Sequence, residues 1–102
     1  KNPFFSSASS EIARANVDEI ARAANRLARE RIGGLIVLER ETGLKNFIET
    51  GSKLDATVKA ELIYSIFVPT SPIHDGAVII TSGRIAAAGC FLPLSKDPNI
   101  DK

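Results

Sequence analysis

Hydrophobic and polar residues alternate with helical periodicity in the first third of the chain. From Glu11 to about Arg31, apolar positions recur at spacings of four and three, which predicts one amphipathic helix. The apolar stripe consists of Ala13, Val17, Ile20, Ala24 and Leu27. Ser9 or Ser10 suits the N-cap, with Glu11 in the first turn. Residues 1–10, with a proline and a run of serines, are expected to form an N-terminal arm.

Shorter patterns follow this helix. Residues 35–39 (LIVLE) form a continuous apolar run rich in β-branched side chains, which predicts a central strand covered on both faces. Asp55 suits the N-cap of a second helix over residues 56–67. Pro69 and Pro72 then favour an extended loop.

The last third of the chain predicts a hairpin. Two β-prone runs, residues 77–80 and 84–92, flank the short connection Thr81-Ser82-Gly83. The order helix, strand, helix, strand, strand predicts an α/β fold, a single layered domain in which helices pack around a mixed sheet. A length of 102 residues suits one domain, assigned to residues 11–102.

Composition and charge narrow the expected partners. Hydrophobic residues make up 44% and charged residues 25%, which is typical of a globular domain. With 13 basic and 12 acidic residues, the chain predicts no strong electrostatic field, so neither nucleic acid nor anionic lipid is expected as a partner. The helix arginines, such as Arg22 and Arg26, alternate with acidic residues, which favours a solvent-exposed face over a phosphate-binding stripe.

The single cysteine, Cys90, excludes an internal disulfide and a CxxC metal site. A small buried hydrophobe and a nucleophile are the two interpretations, and the first is favoured. A reducing, cytoplasmic compartment fits this composition. No apolar run approaches the roughly 20 residues of a membrane helix and no signal-peptide pattern is visible, so the chain as given is expected to be soluble.

The stretch HDGA, residues 74–77, opens a hydrophobic run with an ionisable pair. A carboxylate at a strand mouth, here Asp75, can bind a hard divalent cation together with phosphate oxygens and water. Such a metal can activate a hydroxyl for in-line attack on phosphorus. Gly76 and Ala77 would let ribose and phosphate approach the main chain. The alternative is that Asp75 and Gly76 are ordinary turn residues and His74 only caps the strand, and spacing alone leaves both open.

Five stretches together resemble the catalytic domain (DAC domain) of the diadenylate cyclases, which join two ATP molecules into cyclic di-AMP. They are RIGGLIVLER, TG (Thr50-Gly51), ELIYSIF, SPIHDGAVII and RIAAAGCFLPLS, in family order. The combination of DGA with the downstream FLPLS carries most of the specificity. The resemblance is strongest to the membrane-tethered subtype, which implies a cytoplasmic domain tethered through segments that this chain lacks.

The resemblance also implies roles for individual residues. Asp75 matches the metal-binding, hydroxyl-activating carboxylate, and His74 matches a further metal contact. Gly76 and Ala77 complete that motif beside the ribose and phosphates. The implied cofactor is a divalent metal, Mg²⁺, Mn²⁺ or Co²⁺.

At the end of the predicted hairpin, Phe91 matches an aromatic residue that stacks on adenine. Leu92 falls where the family's main chain contacts the base; without the resemblance, both would be core or edge residues of a strand. In the family each subunit binds one ATP and two subunits meet face to face, so the resemblance implies a homodimer. Its products would be cyclic di-AMP and two pyrophosphates.

One departure from the family pattern affects activity. The family's second signature, an Arg-His-Arg motif that grips the phosphates, is not found in residues 1–102, nor are the downstream acidic metal ligands. The chain therefore resembles a catalytic domain truncated at its C-terminus, and we expect the isolated chain to have little or no cyclase activity. The alternatives are a non-catalytic nucleotide- or partner-binding module, or a structural domain in which Asp75 is only a turn residue.

Overall fold

The computed structural model describes the backbone of residues 3–92 and the side chains of residues 11–92. The elements are α1 (Pro3–Arg29), β1 (Leu35–Leu38), α2 (Lys45–Ile48), β2 (Ser52–Thr57), α3 (Ala60–Phe67), β3 (Ala77–Thr81) and β4 (Arg84–Cys90). The four strands form one sheet in the order β1-β3-β4-β2. β1 pairs in parallel with β3, whereas the β3–β4 and β2–β4 pairs are antiparallel. The predicted mixed sheet and the hairpin are confirmed.

Helices cover both faces of this sheet. On one face, α1 and α3 enclose the larger core, which includes Leu27, Ile63, Phe67 and Ile85. On the other face, α2 packs on a smaller group of buried side chains, Ile79, Ala87 and Cys90, which we call the α2-side core. Because neighbouring strand residues point to opposite faces, one short strand such as β3 contributes to both cores.

α1 begins earlier than predicted, at Pro3 rather than at Glu11. Ser9 and Ser10 lie inside the helix, so their prediction as N-caps was wrong. The division into an arm of residues 1–10 and a domain of residues 11–102 stays a prediction. Within the described part of the chain, no helix is long and apolar enough to cross a membrane.

The apolar stripe of α1 was predicted only in part. Leu27 is buried and Ile20 packs against the larger core. However, Ala23 takes the buried position next to the predicted Ala24, and Val17 is 57% exposed. Of the predicted stripe, the larger core includes Ile20 and Leu27 but not Val17, so a periodic pattern does not guarantee that every turn is buried.

β1 was predicted as a central strand, and this was wrong, because β1 lies at the edge of the described sheet. Its end residues Leu35 and Leu38 are 52% and 47% exposed. Ile36 packs against the larger core and Val37 against the α2-side core. A short strand whose two middle residues are covered from opposite faces gives the same continuous apolar run as a central strand.

The predicted N-cap Asp55 was also wrong, because this residue lies in β2 and not at a helix start. Its φ is 53°, at an irregularity where the pairing of β2 with β4 shifts register. Arg84 binds it there: Nε lies 2.6 Å from the Asp55 carboxylate and Nη2 lies 2.7 Å from its carbonyl oxygen. Aspartate tolerates this left-handed conformation better than most residues, which suits it to a bulge as well as to a cap.

The N-terminus of α3 is capped from another helix. Glu19 of α1 accepts a 2.7 Å hydrogen bond from the main-chain N–H of Ala60, while Lys59, at the N-cap position, makes no side-chain cap bond. This hydrogen bond, and a second from Arg22, lower the pKa of Glu19. The acidic residues of α1 therefore do more than form a solvent-exposed face, because the hydrogen bond to Glu19 joins α1 to α3.

Candidate functional site

Three chain segments meet at one end of the strands, where β1 and β3 begin and β4 ends. An open cleft of about 460 Å³ lies there. All six residues that the sequence analysis singled out line it: His74, Asp75, Gly76, Ala77, Phe91 and Leu92. Gly33 and Gly34, before β1, and Leu35 line the cleft as well. The fold thus brings the two predicted motifs together, although they are separated by the whole hairpin.

The carboxylate of Asp75 is available for a ligand. The side chain is exposed, and it forms no hydrogen bond or ion pair with any other residue that the structure describes. An aspartate that serves only a turn typically accepts a hydrogen bond from a nearby main-chain N–H. Asp75 therefore presents two unengaged oxygen atoms at the mouth of a buried strand.

His74 is held in one orientation by the preceding loop. Its Nδ1 lies 2.8 Å from the carbonyl oxygen of Ser71. Because a carbonyl oxygen can only accept, Nδ1 must carry the hydrogen in this contact, which leaves the lone pair of a neutral ring on Nε2. Metal-binding histidines are commonly oriented in this way, by a carbonyl oxygen that accepts a hydrogen bond from the ring nitrogen not bound to the metal. His74 therefore fits the predicted role of a ligand.

Gly76 is required by packing as well as by its backbone conformation. Its φ is +111°, and an added Cβ would lie 2.7 Å from the carbonyl carbon of Gly89 and 2.8 Å from the carbonyl oxygen of Cys90. The missing side chain thus makes room for β4, a packing requirement that the HDGA motif alone does not predict. The side chain of Ala77 is buried at 1% exposure, so only its main chain is left to face a ligand.

Phe91 and Leu92 continue the chain beyond β4 and differ in their surroundings. Phe91 is 64% exposed, whereas Leu92 is half-buried against the α2-side core. The main-chain N–H of Phe91 donates a 2.8 Å hydrogen bond to Oγ1 of Thr50. The segment therefore presents an aromatic face to solvent beside the cleft while its main chain is anchored. Thr50 belongs to one of the stretches that resemble the family, but its place in the sequence alone predicts no role for it.

The described cleft offers an incomplete set of metal ligands. Asp75 and His74 supply one carboxylate and one imidazole nitrogen, and the described residues contain no cluster of three or more His, Cys, Asp or Glu side chains suited to a metal ion. Two such donors fit a divalent cation that takes its other ligands from nucleotide phosphates and water. No lysine or arginine is among the described residues that line the cleft.

Cys90 also lines the cleft, but its side chain is buried at 1% exposure. Burial raises the pKa of the Cys90 thiol. A thiol with a raised pKa is a poor nucleophile, because the thiolate is the reactive form. The structure therefore supports the interpretation of Cys90 as a small buried hydrophobe.

Residues 21–102 match the model of the DAC family, described as "DisA bacterial checkpoint controller nucleotide-binding". The match covers most of the chain, and it includes every residue of the cleft. The chain belongs to this family. The resemblance drawn from the sequence motifs is thereby confirmed at the level of the family.

Individual relatives agree with this assignment. The chain is 46% identical to the cyclic di-AMP synthase CdaA of Bacillus subtilis, over 97% of this chain and 37% of that protein. It is 43% identical to a diadenylate cyclase of Listeria monocytogenes, over 84% of this chain and 32% of that protein. The chain thus spans about a third of the length of the curated relatives that it matches.

Solved structures share the fold. A double mutant of DacA from Staphylococcus aureus superposes with a TM-score of 0.79 at 44% identity, covering 86% of this chain and 59% of that chain. A hypothetical membrane spanning protein from Bacillus cereus gives a TM-score of 0.74 at 40% identity, covering 83% and 42% respectively. The α/β fold with a mixed sheet is therefore that of known DAC domains.

Proposed function

We propose that this chain is the nucleotide-binding part of a diadenylate cyclase, which condenses two ATP molecules into cyclic di-AMP and releases two pyrophosphates. The observation that carries the proposal is the unengaged carboxylate of Asp75, at a strand mouth that opens on the same cleft as the exposed ring of Phe91. The names of the relatives, diadenylate cyclase and cyclic di-AMP synthase, support the same reaction.

In the proposed complex, each part of ATP meets a different segment of the cleft. The adenine stacks on Phe91 and its edge contacts the main chain of Leu92. Gly76 and Ala77 present their main chain to the ribose and phosphates. Asp75 then accepts a hydrogen bond from the 3′-hydroxyl, which orients the oxygen for attack and favours loss of its proton.

Asp75 and His74 are the residues that would hold a divalent cation in this cleft. The carboxylate suits Mg²⁺, Mn²⁺ and Co²⁺ alike, whereas an imidazole ligand favours the two transition metals. Bound there, the cation would supply Lewis-acid stabilisation of phosphate charge and lower the pKa of the nearby hydroxyl.

Ring closure requires two copies of the cleft. In each half-reaction, a bond forms between the 3′-oxygen of one nucleotide and the α-phosphorus of the other, while the bond from that phosphorus to the pyrophosphate oxygen breaks. One cleft that binds one ATP can supply only one of the two hydroxyls. We therefore propose a homodimer in which two clefts face each other, and the exposure of His74, Asp75 and Phe91 is consistent with such an arrangement.

The proposed setting is the cytoplasmic side of a membrane, with the domain tethered through segments outside this chain. Among the similar structures, one carries the name of a membrane spanning protein, and this name supports the tether. Tethering would also confine the domains to a plane and raise their local concentration, which helps a dimer to form.

The test is Asp75→Asn in the complete protein. The amide keeps the shape of the side chain but removes the charge, so cyclic di-AMP formation should fall by about 100-fold or more. Thermal unfolding should not change, because the carboxylate supports no described hydrogen bond. Asp18→Asn, an exposed aspartate on α1, is the matched control and should keep full activity. The isolated 102-residue chain should convert little ATP in the same assay.

Unchanged activity in Asp75→Asn would leave only the turn role for this residue. A second candidate function, a nucleotide-binding module without catalysis, is favoured by the lack of basic residues in the described part of the cleft. That candidate predicts that the complete wild-type protein binds ATP but forms no cyclic di-AMP with any of the three metals.

A further inference from the structure

We propose that Thr50 is a positioning residue that sets the adenine-binding segment, Phe91 and Leu92, at the end of β4. The inference rests on the proposed function, because it assigns the adenine to these two residues. Thr50 is exposed and is not among the residues that line the cleft. It acts on the nucleotide only through the main chain of Phe91.

The side chain of Thr50 adds one hydrogen bond beyond the end of the pairing between β2 and β4. The described pairing of these strands starts at Ser52, opposite Ala88, and β4 ends at Cys90. The next N–H along the chain, that of Phe91, donates instead to Oγ1 of Thr50 at 2.8 Å. The hydroxyl thus takes the place of a main-chain acceptor at the point where the chain turns towards the cleft.

The hydroxyl of Thr50 is itself held in a fixed orientation. It donates a 2.6 Å hydrogen bond to the carbonyl oxygen of Phe47, and the main-chain N–H of Thr50 donates to the same oxygen at 3.0 Å. Because the hydroxyl hydrogen is used there, its lone pairs remain for Phe91. Thr50 itself is exposed, but Phe47 packs against the α2-side core, so the carbonyl that orients the hydroxyl belongs to a residue that the core holds.

The neighbouring glycine is what allows this approach. A Cβ on Gly51 would lie 2.4 Å from the carbonyl oxygen of Ala88 and 2.6 Å from Sγ of Cys90. Any larger residue would push the chain away from β4 and lengthen the bond between Thr50 and Phe91. The Thr50-Gly51 pair is thus a hydroxyl acceptor together with the small residue that brings it close.

Loss of this hydroxyl should affect adenine binding more than chemistry. Without an acceptor, the N–H of Phe91 would turn towards water. The ring of Phe91 and the main chain of Leu92 would then lose their fixed orientation. Asp75 is held by a different loop, before β3, so the reacting hydroxyl would keep its partner. The two effects are separable. The KM and the affinity for an analogue measure how well the adenine is bound, whereas kcat measures the rate of attack on phosphorus.

The experiment compares Thr50→Val and Thr50→Ser with the wild type in the complete protein. Valine keeps the shape without the hydroxyl, and serine restores the hydroxyl. For Thr50→Val we expect the KM for ATP and the Kd of a non-reactive ATP analogue to rise by about three- to tenfold, the range of one lost hydrogen bond. The kcat should change by less than about twofold. Discrimination against the corresponding GTP analogue should also fall, an effect that general destabilisation would not produce.

Thr50→Ser should restore affinity and discrimination, and Thr57→Val, at the other end of β2, should match the wild type. Binding is measured below the unfolding temperature of every variant, so that reduced stability does not enter the comparison. Wild-type affinity and discrimination in Thr50→Val would overturn the proposal, and so would a fall in kcat with unchanged KM. A wild-type protein that makes no cyclic di-AMP would overturn the proposed function instead, while analogue binding would still decide the role of Thr50.

Discussion

The ends of the strands form two opposite edges of the sheet, distinct from the edge strands β1 and β2, and each of these two edges carries a carboxylate that is used differently. Glu39 follows the C-terminal end of β1 at one of them, where it accepts hydrogen bonds from the hydroxyl of Thr81 and from the main-chain N–H of Leu44. These bonds lower the pKa of Glu39. Asp75 precedes β3 at the opposite edge and has no such partner among the described residues.

This difference separates a structural carboxylate from one that can bind a ligand. The oxygens of Glu39 connect the end of β3 to the turn before α2, so they are engaged by the fold. Asp75 stays solvated, which avoids a desolvation cost and leaves both oxygens for a cation or a hydroxyl. Position at a strand end is common to both residues, and only the hydrogen-bond partners distinguish them.

Paramagnetic broadening should give the largest contrast between the two edges. When Mn²⁺ is added with a non-reactive ATP analogue, we expect the NMR amide signals of His74, Asp75 and Gly76 to disappear. Those of Glu39 and Thr81 should remain, because engaged oxygens compete poorly for a cation. Asp75→Asn should restore the lost signals. Equal broadening at both edges would contradict the distinction.

Gly76→Ala should reduce stability strongly at the Asp75 edge. The new Cβ would contact the main chain of Gly89 and Cys90 at under 3 Å, in a backbone conformation that L-residues rarely adopt. We expect a loss of about 2 kcal/mol or more in the free energy of unfolding, measured by urea titration. Gly33→Ala is the matched control, since its Cβ would meet nothing within 4 Å. A loss below about 0.5 kcal/mol in Gly76→Ala would show that β4 can move away.

The pH dependence of stability should show the smallest effect, at the Glu39 edge. A carboxyl group whose pKa is lowered on folding adds stability above its unfolded pKa, and this is lost as the pH falls through the folded pKa. The wild type should therefore lose stability below about pH 4.5, the ordinary value for glutamate. In Glu39→Gln this loss should be smaller, and the variant should be less stable than the wild type at pH 7 but not at pH 3.

Urea midpoints at both pH values measure this difference, with the exposed Glu41→Gln as the control. Glu19 and Glu30 also have lowered pKa values, so Glu39→Gln should remove only part of the acid-range loss. An identical pH profile in wild type and variant would mean that Glu39 is not the carboxylate that stabilises its edge. In the complete protein, both variants should keep the cyclase activity that we propose, because neither residue lines the cleft.

Much of the fold was open to prediction from local pattern. The hairpin is determined by residues that are close in sequence, on either side of Gly83. The structure accordingly places β3 and β4 where the two β-prone runs lie. The mixed sheet was predicted from the order of the elements, although that predicted order lacked α2 and β2. The six site residues came from two short motifs, and the structure brings both to one cleft, although their roles stay predictions.

Contacts between distant residues could not be predicted in the same way. Glu19 with Ala60, and Thr50 with Phe91, are each separated by 41 positions along the chain. Nothing next to Glu19 in the sequence marks it as the cap of a different helix. Asp55 shows how such a contact can override a local signal. Its local sequence suits a helix cap, but the residue lies at a bulge in β2, where Arg84 of β4 binds it.

The parallel pairing of β1 with β3 has a consequence for the order in which the molecule folds. The hairpin of β3 and β4 closes a very short loop, whereas β1 can join β3 only after the chain that carries α2, β2 and α3 has been brought back. Closing a longer loop costs more entropy and slows the step. We therefore expect the cleft to be among the last parts to form, so that a refolding chain would regain its sheet signal before it regains affinity for nucleotide.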